Sequence, residues 1–228
     1  MTQLLTNAWT PPGPAMLFCP ADRPDRYRKA LDRADVVILD LEDAVGPENR
    51  PAAREALIAN PIDPDRVVVR INPATTGDYR RDLAAVAETD YRVVMQAKSE
   101  TPESVIETAL QTIALVETPF GATRVNEIAA VSNCIGLMWG AEDLVAGLGG
   151  KSSRVGDGEE NPGTYRDVAR WVRSVTRLAA AATRYADQFG FGFVMYVGGS
   201  TATEVLTAID DRRHHDEETE RPHWPQLS

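Results

Sequence analysis

The chain predicts an α/β fold built on a parallel sheet. Six short apolar runs rich in β-branched residues alternate with helix-like segments. The alternation repeats about every 20–30 residues, the spacing of β-α units. The runs are continuously apolar rather than alternating, as expected of strands buried on both faces. Six such units with no change of composition favour a closed (β/α) barrel over an open sheet.

The runs are Ala15–Cys19, Val36–Leu41, Arg66–Ile71, Tyr91–Met95, Thr112–Glu117 and Cys134–Trp139. Asp22–Arg33 opens with Asp, carries Pro24 in its first turn and ends basic, as a helix dipole prefers. Pro51–Ala59, Gly77–Glu88, Pro102–Thr108 and Ala122–Ala130 follow as further helices. The longest, Thr164–Asp187, has an apolar stripe through Val168, Trp171, Val172, Val175 and Leu178. Residues 149–163 form a polar, Gly-rich loop that reads equally as a surface loop or a lid. No GxGxxG follows the first run, so the dinucleotide fingerprint is missing.

Composition narrows the chemistry. The 228 residues carry a net charge of −10, which disfavours a nucleic-acid partner. No apolar run approaches the roughly 18 residues of a membrane helix. The first fifteen residues hold no Lys or Arg and no apolar core, so they do not read as a secretory signal. Cys19 and Cys134 lie in apolar runs and read as buried thiols of a reducing cytoplasm. The three histidines, His214, His215 and His223, all fall in the last fifteen residues. Acid–base work in the body of the chain therefore falls to Asp, Glu, Lys or Tyr. A metal there needs carboxylate oxygens, which suit Mg²⁺, Mn²⁺ or Ca²⁺.

In parallel α/β folds chemistry collects where strands end. An ionisable group stands at that end of every run: Asp22 and Arg23, then Asp40, Glu42 and Asp43, then Arg70, Lys98, Glu117, and Glu142 with Asp143. Any one of them is explained as a helix cap. Arg70 and Glu117 are harder to dismiss, because each closes a continuous apolar run and a charge there needs a partner. Carboxylates from separate strands make a Mg²⁺ site with positions left for water and substrate. An Arg beside it can grip a carboxylate through two parallel hydrogen bonds. Together they suit a 2-oxo or 2-hydroxy acid whose C–C bond breaks or forms.

The stretches LFCPADRPDRYRKAL (17–31), VVILDLEDAV (36–45), VVVRIN (67–72), IALVETPFGA (113–122) and GLMWGAEDLVAGLG (136–149) resemble the HpcH/HpaI aldolase and citrate lyase superfamily, in its CitE-like branch. The resemblance implies a TIM-type (β/α)₈ barrel and a Mg²⁺-dependent carbon–carbon lyase. Its substrate would be a citryl-, malyl- or citramalyl-CoA type thioester, released as acetyl-CoA and a 2-oxo acid such as oxaloacetate. It implies Glu117 and Asp143 as metal ligands and Arg70 as the clamp on the acid. Asp40 and Asp43 would join Arg70 in catalysis, with Asp43 near the metal and its waters; both also read as structural partners of loop amides. Glu117 and the backbone N–H groups of Gly140 and Ala141 would face the substrate. Arg23 and Lys29 would meet the CoA phosphates, although Lys29 also reads as a solvated helix charge. Lys98 matches a Pro-Lys segment of the family, with Ala97 in place of the Pro. The family further implies a cytoplasmic homotrimer or hexamer. Its aldolases on free aldehydes use a histidine that this body lacks, which favours the CoA-ester branch.

The resemblance fades from about residue 183. The family goes on with two strands, an Ile-His-Pro turn and a late catalytic carboxylate. Here Gln188–Val197 offers a seventh strand and Ala202–Asp210 a short helix, and no eighth strand is found. The expectation is a barrel domain over 1–200, incomplete or altered at its C-terminal end, and a divergent, disordered tail over 201–228. Asp210 or Asp211 would replace that late carboxylate only by accident. A catalytically impaired member that binds Mg²⁺ and a 2-oxo acid, or an aldolase on free aldehydes, are the competing readings.

Overall fold

The computed structural model describes residues 9–156 and 163–189, with side chains to 183. Six parallel strands pair in sequence order: β1 (Met16–Pro20), β2 (Val36–Asp40), β3 (Val67–Ile71), β4 (Val93–Gln96), β5 (Gln111–Val116) and β6 (Cys134–Trp139). Each sits within a residue or two of the apolar run that predicts it. The unbroken order 1-2-3-4-5-6, each strand reached through a helical crossover, is that of a (β/α) barrel. Among the described residues β1 and β6 are the sheet edges. The seventh strand, the short helix, the tail and Asp210–Asp211 fall outside the described residues, apart from Gln188 and Phe189, which are helical.

Both faces of the sheet are apolar, which explains the continuous runs. Val37, Leu39, Val67, Val69, Ile71 and Val94 pack against Tyr27, Ala53, Leu57, Tyr79 and Val86 of the flanking helices. On the opposite face Val36, Ile38, Val68, Val93, Met95, Ile113 and Leu115 form a second cluster. The strand period of two carries that second face onward to Asp40, Arg70 and Glu117. Three ionisable side chains are thereby stacked on one end of one apolar cluster.

The helices are α1 (Tyr27–Leu31), α2 (Arg50–Ala59), α3 (Gly77–Ala87), α4 (Pro102–Ile106), α5 (Pro119–Thr123), α6 (Val125–Ala129), α7 (Ala141–Gly147) and α8 (Asp167–Phe189). Three expectations need correction. The segment Asp22–Arg33 divides into a 3-10 turn over Pro24–Arg26 and the short α1. The helix expected from Ala122 begins at Pro119 and breaks at Arg124, because Thr118 caps it by accepting the Gly121 N–H at 3.0 Å and Pro119 is preset for a first turn. The long helix starts at Asp167; Thr164–Tyr165 instead pair antiparallel with Arg154–Val155, as β8 and β7, at the ends of the Gly-rich loop. Tyr165 is held there between the Arg154 guanidinium, 3.8 Å from its ring centroid, and the edge-on Trp139 ring at 5.3 Å. Among the described residues no helix is long and apolar enough to cross a membrane.

Candidate active site at the strand ends

Asp40 and Arg70 are register partners on β2 and β3, so their side chains meet by construction. Arg70 Nε donates to Asp40 Oδ1 at 2.7 Å and Nη2 donates to Oδ2 at 2.5 Å. The same carboxylate accepts the backbone N–H of Glu42 at 2.9 Å and of Ala44 at 3.2 Å. An ionised carboxylate has about four acceptor positions, and these four bonds fill them. Asp40, 1% exposed, therefore ties the β2 loop to Arg70, as its alternative reading as a structural partner of loop amides expects. The fork of Arg70 expected to grip a substrate carboxylate is likewise closed on Asp40. What remains is Nη1, which lies 3.2 Å from Glu42 and 4.0 Å from Asp43. Phe18 packs beneath the guanidinium at 4.8 Å. Burial works against the charge of Arg70, but its carboxylate partners outweigh that and hold it protonated.

Glu117 ends β5 with its carboxylate folded inward, 4% exposed. Its Oε1 accepts the Lys98 N–H at 2.9 Å. Lys98 makes that bond from a left-handed backbone conformation with φ 48°, unusual for a residue with a side chain. Gly140 makes room on the other side: a Cβ there would lie 2.6 Å from Glu117 Oε2 and 2.8 Å from its Cβ. Gly121 serves the same packing, since a Cβ on it would lie 2.3 Å from the Ser99 carbonyl oxygen. The N–H of Gly140 is already donated to the Val116 carbonyl at 3.0 Å. Gly140 thus contributes space, its N–H being spent on Val116, and Ala141 is the first residue of α7.

Lys98 is the residue whose role the motifs did not reveal. Its ammonium lies 2.5 Å from Glu42 Oε1, 3.3 Å from Asp143 Oδ2 and 3.8 Å from Asp43 Oδ2. It joins the β2 loop, the end of β5 and the start of α7 into one cluster. The position was legible as a charge at a strand end; its centrality depends on three loops meeting and has no local signal. Glu42 is nearly buried at 3% exposed, and its Oε2 makes no hydrogen bond, although Arg70 is nearby. Burial raises the Glu42 carboxyl above its usual range in spite of Lys98 and Arg70. Burial also pushes Glu117 up to about 7, with Asp143 and Glu42 adding to the effect and the Lys98 amide and ammonium opposing it. Glu142 turns away from the cluster and binds Ser153 through that residue's N–H and hydroxyl.

Carboxylates of Glu42, Asp43 and Asp143 therefore surround one ammonium beside one guanidinium, and Glu117 holds the backbone N–H of the same lysine. Among the described residues no three His, Cys, Asp or Glu side chains are already arranged as a ligand set. Two carboxylates completed by water are, however, what Mg²⁺ asks for. The hard oxygen donors, the Gly140 space beside Glu117 and the orphaned Glu42 oxygen fit a small divalent cation. Arg23 and Lys29 stand apart: Arg23 pairs with Asp25 at 2.9 Å on the surface, and Lys29 lines a pocket of about 330 Å³ beside β1 with Arg26 and Arg33.

Comparison with known proteins places the chain in a family. The family model described as HpcH/HpaI aldolase/citrate lyase matches residues 14–161. A second model, OHCU decarboxylase, matches residues 168–224. A citrate lyase subunit beta-like protein of Mycobacterium tuberculosis is 57% identical over 171 residues, covering 75% of this chain and 61% of that one. An L-malyl-CoA/beta-methylmalyl-CoA lyase of Rhodobacter capsulatus is 31% identical over 180 residues, covering 66% and 57%. Solved structures of the M. tuberculosis protein superpose with a TM-score of 0.72 at 57% identity over 75% of this chain. One, of which 63% is covered, holds magnesium, acetoacetate and coenzyme A; another, of which 75% is covered, holds oxaloacetate and magnesium. The chain thus spans about three fifths of the length of the curated relatives it matches. With the model match over most of its length and the strand-end carboxylates in place, the chain belongs to the HpcH/HpaI aldolase/citrate lyase family.

Proposed function

We propose that this chain is a magnesium-dependent carbon–carbon lyase of CoA thioesters, of the citryl-, malyl- or citramalyl-CoA type. The single observation that carries the reading is that Glu117 and Asp143 both contact Lys98, one through its backbone N–H and the other through its ammonium, while Arg70 and that ammonium share Glu42, at the end of the sheet where such folds do chemistry. Glu117 and Asp143 would hold magnesium, with water and substrate completing its shell. Bound there, the ion supplies Lewis-acid polarisation of an oxo oxygen and stabilises charge developing as the C–C bond breaks.

The chain's own groups do the rest. Nη1 of Arg70, the edge not spent on Asp40, would hold the carboxylate end of a 2-oxo acid in exchange for Glu42; Asp40 fixes the plane of the guanidinium. Asp43, half exposed at the mouth, is the carboxylate best placed to exchange a proton with water. Ala141 offers its backbone amide to the acid. The basic pocket of Arg26, Lys29 and Arg33, with Arg23 nearby, suits the phosphates of a CoA. The ligands of the M. tuberculosis structures, magnesium with oxaloacetate and with coenzyme A, support the same reading.

The test is a thioester cleavage assay with citryl-, malyl- and citramalyl-CoA, with and without EDTA, alongside calorimetry with magnesium and oxaloacetate. Magnesium-dependent release of acetyl-CoA supports the proposal. Binding of magnesium and oxaloacetate without turnover supports instead a binding relative.

A further inference from the structure

We propose that Lys98 is a tethered competitor of the divalent cation: its ammonium and magnesium use the same carboxylates, and one displaces the other. The inference rests on the magnesium reading above. An ammonium has three donors, and the Lys98 Nζ faces three carboxylates, of Glu42, Asp143 and Asp43, at 2.5, 3.3 and 3.8 Å. One of them, Asp143, is a magnesium ligand in that reading. The other ligand, Glu117, is bonded by the backbone N–H of the same residue. One lysine therefore contacts both ligands, through two different atoms.

The charges explain why a cation belongs there. Glu42, Asp43, Glu117 and Asp143 outnumber Lys98 and the single free edge of Arg70, whose fork is spent on Asp40. Without Lys98 these carboxylates repel one another in a partly dry site, where like charges are costly. A divalent ion neutralises twice what an ammonium does. Its arrival removes the reason for the ammonium to stay, and the long lysine stem, 30% exposed, has room to swing toward the mouth. Lys98 acts on the ion through the carboxylates and is in this sense a positioning residue: it keeps the ligands gathered while it holds them and sets the affinity of their exchange.

The experiment titrates magnesium chloride alone into the full chain by calorimetry, comparing wild type, Lys98→Met and Lys98→Arg. Removing the competitor tightens magnesium binding about tenfold or more, which is about 1.4 kcal/mol. Lys98→Arg keeps the charge and stays near wild type. In parallel, Lys98→Met melts below wild type in EDTA and gains more from magnesium. A purely structural lysine would lower the melting temperature without tightening the ion. Unchanged or weaker magnesium binding by Lys98→Met overturns the inference while leaving the magnesium reading intact. Uptake by none of the three proteins overturns both. Should Lys98→Met fail to fold in EDTA, Lys98→Gln carries the same comparison, and failure of both to fold in magnesium overturns the inference, because removing a competitor must not matter once the ion is bound.

Discussion

Asp40, Glu117 and Gly140 show how single residues divide the labour of one site. Asp40 spends every acceptor on the loop and on Arg70, whereas Glu117 keeps one oxygen open beside a glycine. Replacing Gly140 by Ala drives a methyl against a carboxylate whose other oxygen is tied to Lys98, so Glu117 cannot yield freely. Gly140→Ala should cost about 1–3 kcal/mol in urea unfolding and should weaken magnesium uptake. Glu117→Gln should abolish magnesium-dependent ligand binding while the protein stays folded by circular dichroism; retained binding would make Glu117 a mere strand-end cap. The pH dependence follows from burial, which lifts Glu117 from 4.5 to about 7. In the metal-free protein the neutral form is favoured by folding, so its contribution is complete below about pH 4.5 and is lost as pH rises through about 7. Magnesium reverses the sense, because it binds only the ionised form. Its affinity should fall about tenfold between pH 8 and pH 6, read by calorimetry.

At the scale of elements, an ion-pair network behind the sheet ties helices α2 and α3 to the ends of β2 and β3. Arg54 on α2 donates to Asp82 at 2.7 Å and to Asp78 at 2.6 Å on α3, and Arg50 donates to Asp78 at 2.8 Å. Asp82 also accepts the backbone and side-chain N–H groups of Asn72, whose amide in turn donates to the Leu41 carbonyl. Leu41 N–H bonds the Arg70 carbonyl. The chain of contacts runs from two helices to the ends of β2 and β3, where Asp40 and Arg70 pair. Asp82→Ala leaves Arg54 buried without its innermost partner and should cost about 3–5 kcal/mol in denaturant unfolding. The strands were legible because burial on both faces writes an uninterrupted apolar run, as in Val36–Ile38–Leu39. The shorter pieces were less so. Thr118-Pro119 carries a cap and a first-turn signal, but Gly121 and the break at Arg124 obscure five-residue helices. Two-residue strands such as Arg154–Val155 have no pattern at all, since they are defined by pairing alone.

Over the whole molecule the order of six strands lines up the loop ends, and that order brings Glu42, Asp43, Arg70, Lys98, Glu117 and Asp143 from five segments to one place. Sequence patterns predict who stands at each strand end, because strand and loop are local. They do not predict that Arg70 is already engaged, that Gly140 spends its amide on Val116, or that Lys98 is the hub, because those depend on contacts between segments 19 to 56 residues apart. The most direct test of the central claim, that Glu117 and Asp143 jointly bind a divalent ion beside Arg70, is a crystal structure of the full chain grown with magnesium and oxaloacetate. One ion between these two carboxylates, with the acid reaching Arg70, is the predicted result. Side chains of Glu117 and Asp143 that share no ion while magnesium is present would contradict it.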